Sequence, residues 1–358
     1  MVFALLALQL GSLVNPAWAC GCGAMVTDRM ARIGVDRETS VVQWDGATEQ
    51  IVMRFTVNGN AARAAWIMPV PSRASVELAD ADMFDDLATA VRPERRTRHH
   101  FWPRGRDWPF TWGERDGFAG AAPGAAGGGV GVVGRERLGD FDVARLTATD
   151  PDALRTWLTA NGFELPDRLA AEVRPYVDQK WEYVAVRLAP ERQGTTLNGT
   201  LEPLRIRFAS DRLVYPMRLS RLARTPQSLG LYVLADHRME PVTAIGGDRP
   251  EVLFAGRIEP EGALADLTGG RPAFLTALDQ RFPDPGRIDG DHELRATAAD
   301  TPYRRVTYTG RLLTVGDGIP VWLLTVGGVL LAATATIVAR RRRGRLRGRG
   351  DAGAVPAA

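Results

Sequence analysis

The chain has 358 residues, 45% of them hydrophobic, with 45 Lys and Arg against 42 Asp and Glu and a formal net charge of +3. Residues 340–358 hold seven Arg and one Asp, so everything before them sums to −3 and the basic pI belongs to the tail. That distribution excludes a nucleic-acid partner as its explanation, and two cysteines, Cys20 and Cys22, exclude a disulfide-dense framework.

Residues 3–14 are apolar, too short a run to cross a bilayer, and lead to Ala17, Trp18 and Ala19 just before Cys20. This predicts a signal peptide over 1–19 with a small-x-small cleavage site after Ala19; lipidation of Cys20 is the alternative. Met1 and Val2 supply no basic side chain, which points to a start upstream of Met1. Export places Cys20 and Cys22 in an oxidising compartment, as one tight and strained bridge or as two free thiols.

Residues 20–91 read as a first β-rich block. Its strands fall at 40–44, 50–57 and 64–69, separated by Asp45 Gly46 and Asn58 Gly59, and a short helix follows at 83–90. Residues 92–131 lose the pattern, first rich in Arg and Trp, then in Gly and Ala, and predict an exposed loop or linker. Within it Trp102, Trp108, Phe110 and Trp112 interleave with Arg104 and Arg106. That composition suits stacking on flat rings, sugars or a lipid interface; the alternative is that the rings anchor the loop to the core. Residues 132–258 form a second, α+β block. It has a hairpin around Gly139 Asp140, a helix from Pro151 stopped by Gly162, a second helix over 167–177, and strands at 181–188, 204–208, 212–219, 229–234 and 252–258. Residues 259–318 are rich in Pro, Gly and Asp and read as loop or stalk with a strand-like 303–309.

Residues 319–339 contain no charged side chain over 21 positions. As a helix they span about 31 Å, against about 30 Å of hydrocarbon, which predicts one transmembrane helix. Trp322 stands near its outer end, and Arg340, Arg341, Arg342, Arg343, Arg345, Arg347 and Arg349 follow the inner end, so the C-terminus is expected in the cytoplasm at the plasma membrane. The expected partners are the bilayer, through 319–339, and anionic inner-leaflet lipids, through the Arg-rich tail 340–358.

No catalytic, cofactor or metal signature stands out. Gly129, Gly131 and Gly134 have dinucleotide-loop spacing but lack the strand before and the helix after. His99, His100, His237 and His292 lie at no metal-ligand spacing, and Asp291 His292 Glu293 reads as a solvated loop. A weak internal echo links Met53 Arg54 Phe55, a turn and Trp66 Ile67 Met68 Pro69 with Ile206 Arg207 Phe208, a turn and Val214 Tyr215 Pro216 Met217. It suggests a duplicated hairpin. Pro69, Pro71 and Pro216 are expected to end their strands or sit at an edge. If the two ends lie side by side, Trp66, Tyr215 and Arg218 make a candidate binding surface; the alternative is that the two rings fill the core.

Cys20 Gly21 Cys22 Gly23, Val42 Gln43 Trp44 Asp45 Gly46, Ala65 Trp66 Ile67 Met68 Pro69 Val70 Pro71, Trp157 Leu158, Asn161 Gly162 Phe163 and Leu213 Val214 Tyr215 Pro216 Met217 Arg218 Leu219 Ser220 together resemble the bacterial family DUF2330. The resemblance runs from Cys20 to about Ile258. It implies an exported, often membrane-anchored protein of unknown activity, with no catalytic residues to carry over. The resulting expectation is an α+β, β-rich ectodomain of sandwich-like sheets with a few short helices and one C-terminal transmembrane helix. Its expected role is non-enzymatic binding of an envelope component or another protein. The alternative is a surface hydrolase, which a concave pocket holding two or more strongly shifted ionisable groups would favour.

Overall fold

The computed structural model describes residues 17–20, 23–27, 31, 33–108, 136–138, 141–146, 151–188 and 196–350. It is β-rich, 44% strand and 26% helix. The chain divides into two units, one built from Met1–Pro93 and Gly128–Arg305, the other from Glu94–Gly127 and Val306–Ala358.

In the first unit the strands, numbered along the chain, build two large sheets and a small one. The nine-stranded sheet runs β19 (Tyr303–Arg304), β16 (Glu251–Ile258), β17 (Ala273–Phe282), β14 (Gln227–Ala235), β3 (Ile33–Trp44), β4 (Thr48–Gly59), β12 (Leu204–Ala209) and β6 (Ser75–Leu78), with β11 (Gly199–Thr200) also on β4. Its pairs are antiparallel except β14 with β3. The six-stranded sheet is antiparallel and runs β1 (Ala17–Cys20), β2 (Gly23–Thr27), β5 (Ala64–Val70), β10 (Glu182–Leu188), β9 (Phe141–Leu146) and β8 (Glu136–Leu138). The small sheet is β13 (Leu213–Tyr215), β18 (His292–Ala296) and β15 (Met239–Pro241).

Side-chain alternation turns these sheets into layers. Met53, Phe55, Ile206 and Leu231 of the nine-stranded sheet pack in one core with Trp66, Met68, Val184 and Val186 of the six-stranded sheet. The other face of the six-stranded sheet, with Ala65 and Ile67, is covered by Leu154 and Leu158 of α2 (Pro151–Ala160) and Leu169, Val173 and Tyr176 of α3 (Asp167–Asp178). The other face of the nine-stranded sheet, with Val41, Val52 and Leu275, is covered by Met83, Phe84 and Leu87 of α1 (Asp82–Ala90) and by Leu264 and Leu267 of α4 (Gly262–Thr268). The order is helix, sheet, sheet, helix. A strand between two covered faces has no polar side, which is why all seven residues of β5 are buried.

Several expectations change. The two expected blocks interleave: β3 and β4 share a sheet with β12 and β14, and β5 pairs with β10. The echoed strand pairs are not hairpins, because β5 leaves the sheet of β4 and β13 leaves the sheet of β12. Pro71 and Pro216 follow strand ends, but Pro69 lies inside β5 opposite Tyr183. It is tolerated because the ladder with β2 covers only Ala64 to Ile67, so no partner waits for the missing N–H. Residues 259–318 are not a stalk: they supply α4 and the inner strand β17, which is flanked by Pro272 and Pro283. The Gly/Ala run and its glycine spacing lie outside the described residues.

In the second unit β7 (Glu94–His100), expected within a loop, pairs in parallel with β20 (Val306–Leu312). Its sequence, Glu-Arg-Arg-Thr-Arg-His-His, carries no apolar alternation because the two-stranded ribbon buries little. A short hairpin, β21 (Thr314–Val315) with β22 (Ile319–Pro320), leads into α5 (Val321–Gly350). Residues 321–343 of α5 are long and apolar enough to cross a membrane. The helix starts two residues later than expected, since Ile319 and Pro320 are taken by β22, and its uncharged part 321–339 still measures about 29 Å.

Candidate functional site

The structure puts Trp66 and Tyr215 in the same core, 1% and 0% exposed, while Arg218 is half-buried. Trp66 meets Phe55 edge to face at 5.4 Å. The two rings therefore share packing, and neither presents a surface to solvent. Cys20 is the last residue of β1, and Cys22 lies outside the described residues.

What the Leu213–Ser220 motif does instead is gather carboxylates. The Tyr215 hydroxyl donates to Glu38 Oε1 and lies 2.6 Å from Ser40 Oγ on β3. The Val214 N–H donates to Glu49 Oε2 at 3.1 Å. Past Pro216 the N–H groups of Met217 and Arg218 both donate to Asp291 Oδ1, at 2.7 and 2.9 Å, and the Tyr176 hydroxyl adds a third bond at 2.7 Å. Glu38 and Glu49 are fully buried. Burial drives the Glu49 carboxyl well above its ordinary range, with the Val214 N–H pulling the other way. His292 is not in a solvated loop: it opens β18 opposite Tyr215, is 2% exposed, and burial lowers its pKa to about 4. These shifted groups are sealed in the interior. The space beside His292, lined by Leu229, Leu231, Leu278 and Gln280, is too small for a water.

An accessible site lies on the opposite face of the nine-stranded sheet. Gln43, Gln50, Arg207 and Ser75 form one register row across β3, β4, β12 and β6. They lie two residues beyond Val41, Val52 and Arg205, where cover by α4 ends. The Gln50 amide donates to Gln43 Oε1 at 2.8 Å and to the Leu267 carbonyl at 3.3 Å. α4 stops there because Gly269 and Gly270 take φ of +63° and +70°. Asp45, Asp266 and Arg271 form the walls, and Arg205 pairs with Glu77 at 3.2 Å. The groove holds roughly 360 Å³ and continues past Trp44 toward Asp236. The Thr48 N–H, with those of Ala47 and the charges of Arg271 and Arg207, holds the Asp45 carboxyl below its usual pKa. The floor is amide and guanidinium with little apolar surface, a donor-rich bed for a polar ligand.

Sequence reasoning missed this groove, though one signal was present. An Asp45 Gly46 turn places Gln43 and Gln50 at paired positions, but nothing local ties them to Arg207 or Arg271. Among the described residues no three His, Cys, Asp or Glu side chains group to hold a metal. His99 is exposed, His100 contacts Asp107 at 2.6 Å, and His237 contacts Asp300 at 3.0 Å.

A family model described as an uncharacterized protein conserved in bacteria (DUF2330) matches residues 16–295. No curated protein is significantly similar to the chain. The crystal structure of baculovirus P35 is similar over 77% of this chain and 97% of its own, at 9% identity and a TM-score of 0.33, too low to bear on fold or activity.

Proposed function

We propose that this chain, which belongs to the bacterial family DUF2330 of uncharacterised proteins, is an exported, membrane-anchored binding module that engages a polar envelope component, a glycan, through the Gln43–Gln50–Arg207–Ser75 groove. In this reading α5 crosses the plasma membrane, the first unit faces outward, and the Arg-rich tail meets anionic lipid inside. The carrying observation is a division of labour among polar groups. The strongly shifted side chains Glu49 and His292 are buried in the interior, outside the groove, whereas the open groove offers amides, three guanidiniums and Asp45, whose carboxyl is held below its ordinary pKa. Such a lining suits hydroxyl and carboxylate groups more than acid–base chemistry, which calls for shifted groups inside the pocket.

The test is calorimetric titration of the detergent-solubilised full chain with oligosaccharide fragments of the cell envelope. Saturable binding is expected for the wild type, with at least a tenfold loss in R207A/R271A and little change in its melting temperature. Equal binding by wild type and variant, or none by either, would overturn the assignment. Cleavage of the fragments, followed by mass spectrometry, would replace binding with catalysis.

A further inference from the structure

The second unit carries a cluster that the groove does not use. Trp102 and Trp108 are 59% and 46% exposed, yet their rings lie 6.4 and 5.7 Å from that of Trp322, the second residue of α5. Phe101 packs edge to face on Trp102 at 5.1 Å. The loop that presents them is ordered by its own polar contacts. His100 Nε2 meets Asp107 Oδ2 at 2.6 Å, the Arg104 N–H donates to the same oxygen at 3.2 Å, and the Asp107 N–H returns to the Arg104 carbonyl at 3.0 Å. Gly105, at φ +50°, permits the tight turn between them. A loop fastened this way holds two indoles outward, although withdrawing them would bury large apolar area.

The level of these rings is fixed by their neighbour. Trp322 begins the helix whose next seventeen residues are uncharged, so it marks the end of the apolar span. Rings within one indole diameter of it share that depth. The hairpin leading into the helix adds Val315 and Ile319, directly paired and 46% and 50% exposed. Leu313, whose carbonyl accepts from the Val321 N–H, is 37% exposed. Exposed tryptophans grouped with aliphatic side chains at a helix mouth match the boundary where hydrocarbon meets headgroups: the ring is apolar and the indole N–H seeks a polar acceptor. Continuity with the helix selects the occupant, because any other partner would have to displace lipid already adjacent to Trp322.

We propose that Trp102 and Trp108 insert into the interfacial layer of the bilayer that α5 crosses, forming with Trp322 an aromatic collar that lays the 101–108 loop on the membrane surface. This rests on the reading of α5 as a membrane span, and the two can fail separately. Full-length protein would be reconstituted in phosphatidylcholine and phosphatidylglycerol vesicles with and without lipid brominated at a shallow acyl position. Tryptophan quenching would be compared for wild type, W322F and W102F/W108F. A second double variant, W102Y/W108Y, keeps an interfacial ring while removing the indole emission. The expected result is strong quenching of the wild type, with both double variants losing more of the quenchable emission than W322F loses. If W322F abolishes quenching and the double variants retain all of it, the collar is wrong and the anchor stands. Absence of quenching in the wild type overturns both. Quenching that depends on protein concentration but not on bromine would mean that a second copy covers the rings, and would also overturn the proposal.

Discussion

Replacing Glu49 with Gln tests the interior of the fold through pH. Glu49 is 0% exposed, its Oε2 accepts one hydrogen bond, from Val214 at 3.1 Å, and its Oε1 has no partner. Burial raises its pKa well above the ordinary value, and the Val214 N–H lowers it by less. A carboxyl whose folded pKa is raised binds its proton more tightly in the folded state, so stability falls as pH rises. The loss begins near the ordinary value of 4.5, continues to the raised folded value and is constant above it. Within that window each pH unit removes about 1.4 kcal/mol. Gln keeps the shape and the acceptor for Val214 but does not ionise, so E49Q escapes the loss. The wild-type profile alone is ambiguous. His292, held neutral with a pKa of about 4 against 6.5 when free, loses stability in the opposite direction as pH falls. The difference between variant and wild type cancels that contribution. Melting temperatures measured from pH 5 upward should show E49Q gaining on the wild type by roughly 3 °C per pH unit before levelling off. A difference that does not change with pH would refute the argument and mean that Glu49 is ionised and compensated in solution.

Three further outcomes follow from particular contacts. Tyr215→Phe removes the hydroxyl shared by Glu38 and Ser40 and should cost about 1–3 kcal/mol in chemical denaturation, unlike an exposed substitution such as Tyr308→Phe. Gly23→Ala would place a Cβ 2.3 Å from the Ile67 carbonyl oxygen and 2.7 Å from Trp66 Nε1, so β2 must shift away from β5, at about 1–3 kcal/mol and with a lower melting temperature. Protease added to intact spheroplasts should digest the first unit and spare a tag fused after Ala358; digestion of the tag would reverse the proposed orientation.

The sequence was legible where a local pattern and a burial pattern coincide. β4 alternates Ile51, Met53, Phe55 and Val57 inward, and the helix ending before Gly162 carries Leu154 and Leu158 on one face. It was opaque where punctuation hides an inner strand. Prolines bracket β17, yet they stand just outside the ladder and cost it no hydrogen bond. It was also opaque where polarity is mistaken for exposure. Glu49 follows the turn-like Asp45 Gly46 Ala47 Thr48, and His292 stands between two acids, but each is buried because the strand starts one residue before or at it. The groove depends on register across strands far apart in sequence, which no local window contains.

The carboxylates around the Leu213–Ser220 motif explain why so recognisable a segment is scaffold. β13 is three residues long, and Pro216, with no N–H, ends its ladder. The backbone on either side is nonetheless buried, so its donors need partners. Glu49 supplies one for Val214, and a single oxygen of Asp291 supplies one for both Met217 and Arg218. Tyr215 then ties this segment to β3 through Glu38 and Ser40. Each acid is positioned by a different element, β4, β3 and the turn before β18, so the polar groups of the motif are satisfied only with the nine-stranded sheet and the small sheet both in place. A segment under that constraint has little freedom left for ligand contacts. Arg207 and Arg271 carry a lighter structural duty, attraction to Asp45 and a long bond of 3.5 Å from Arg271 Nε to the Thr268 carbonyl, and it is there that substitutions should change binding with little change in stability.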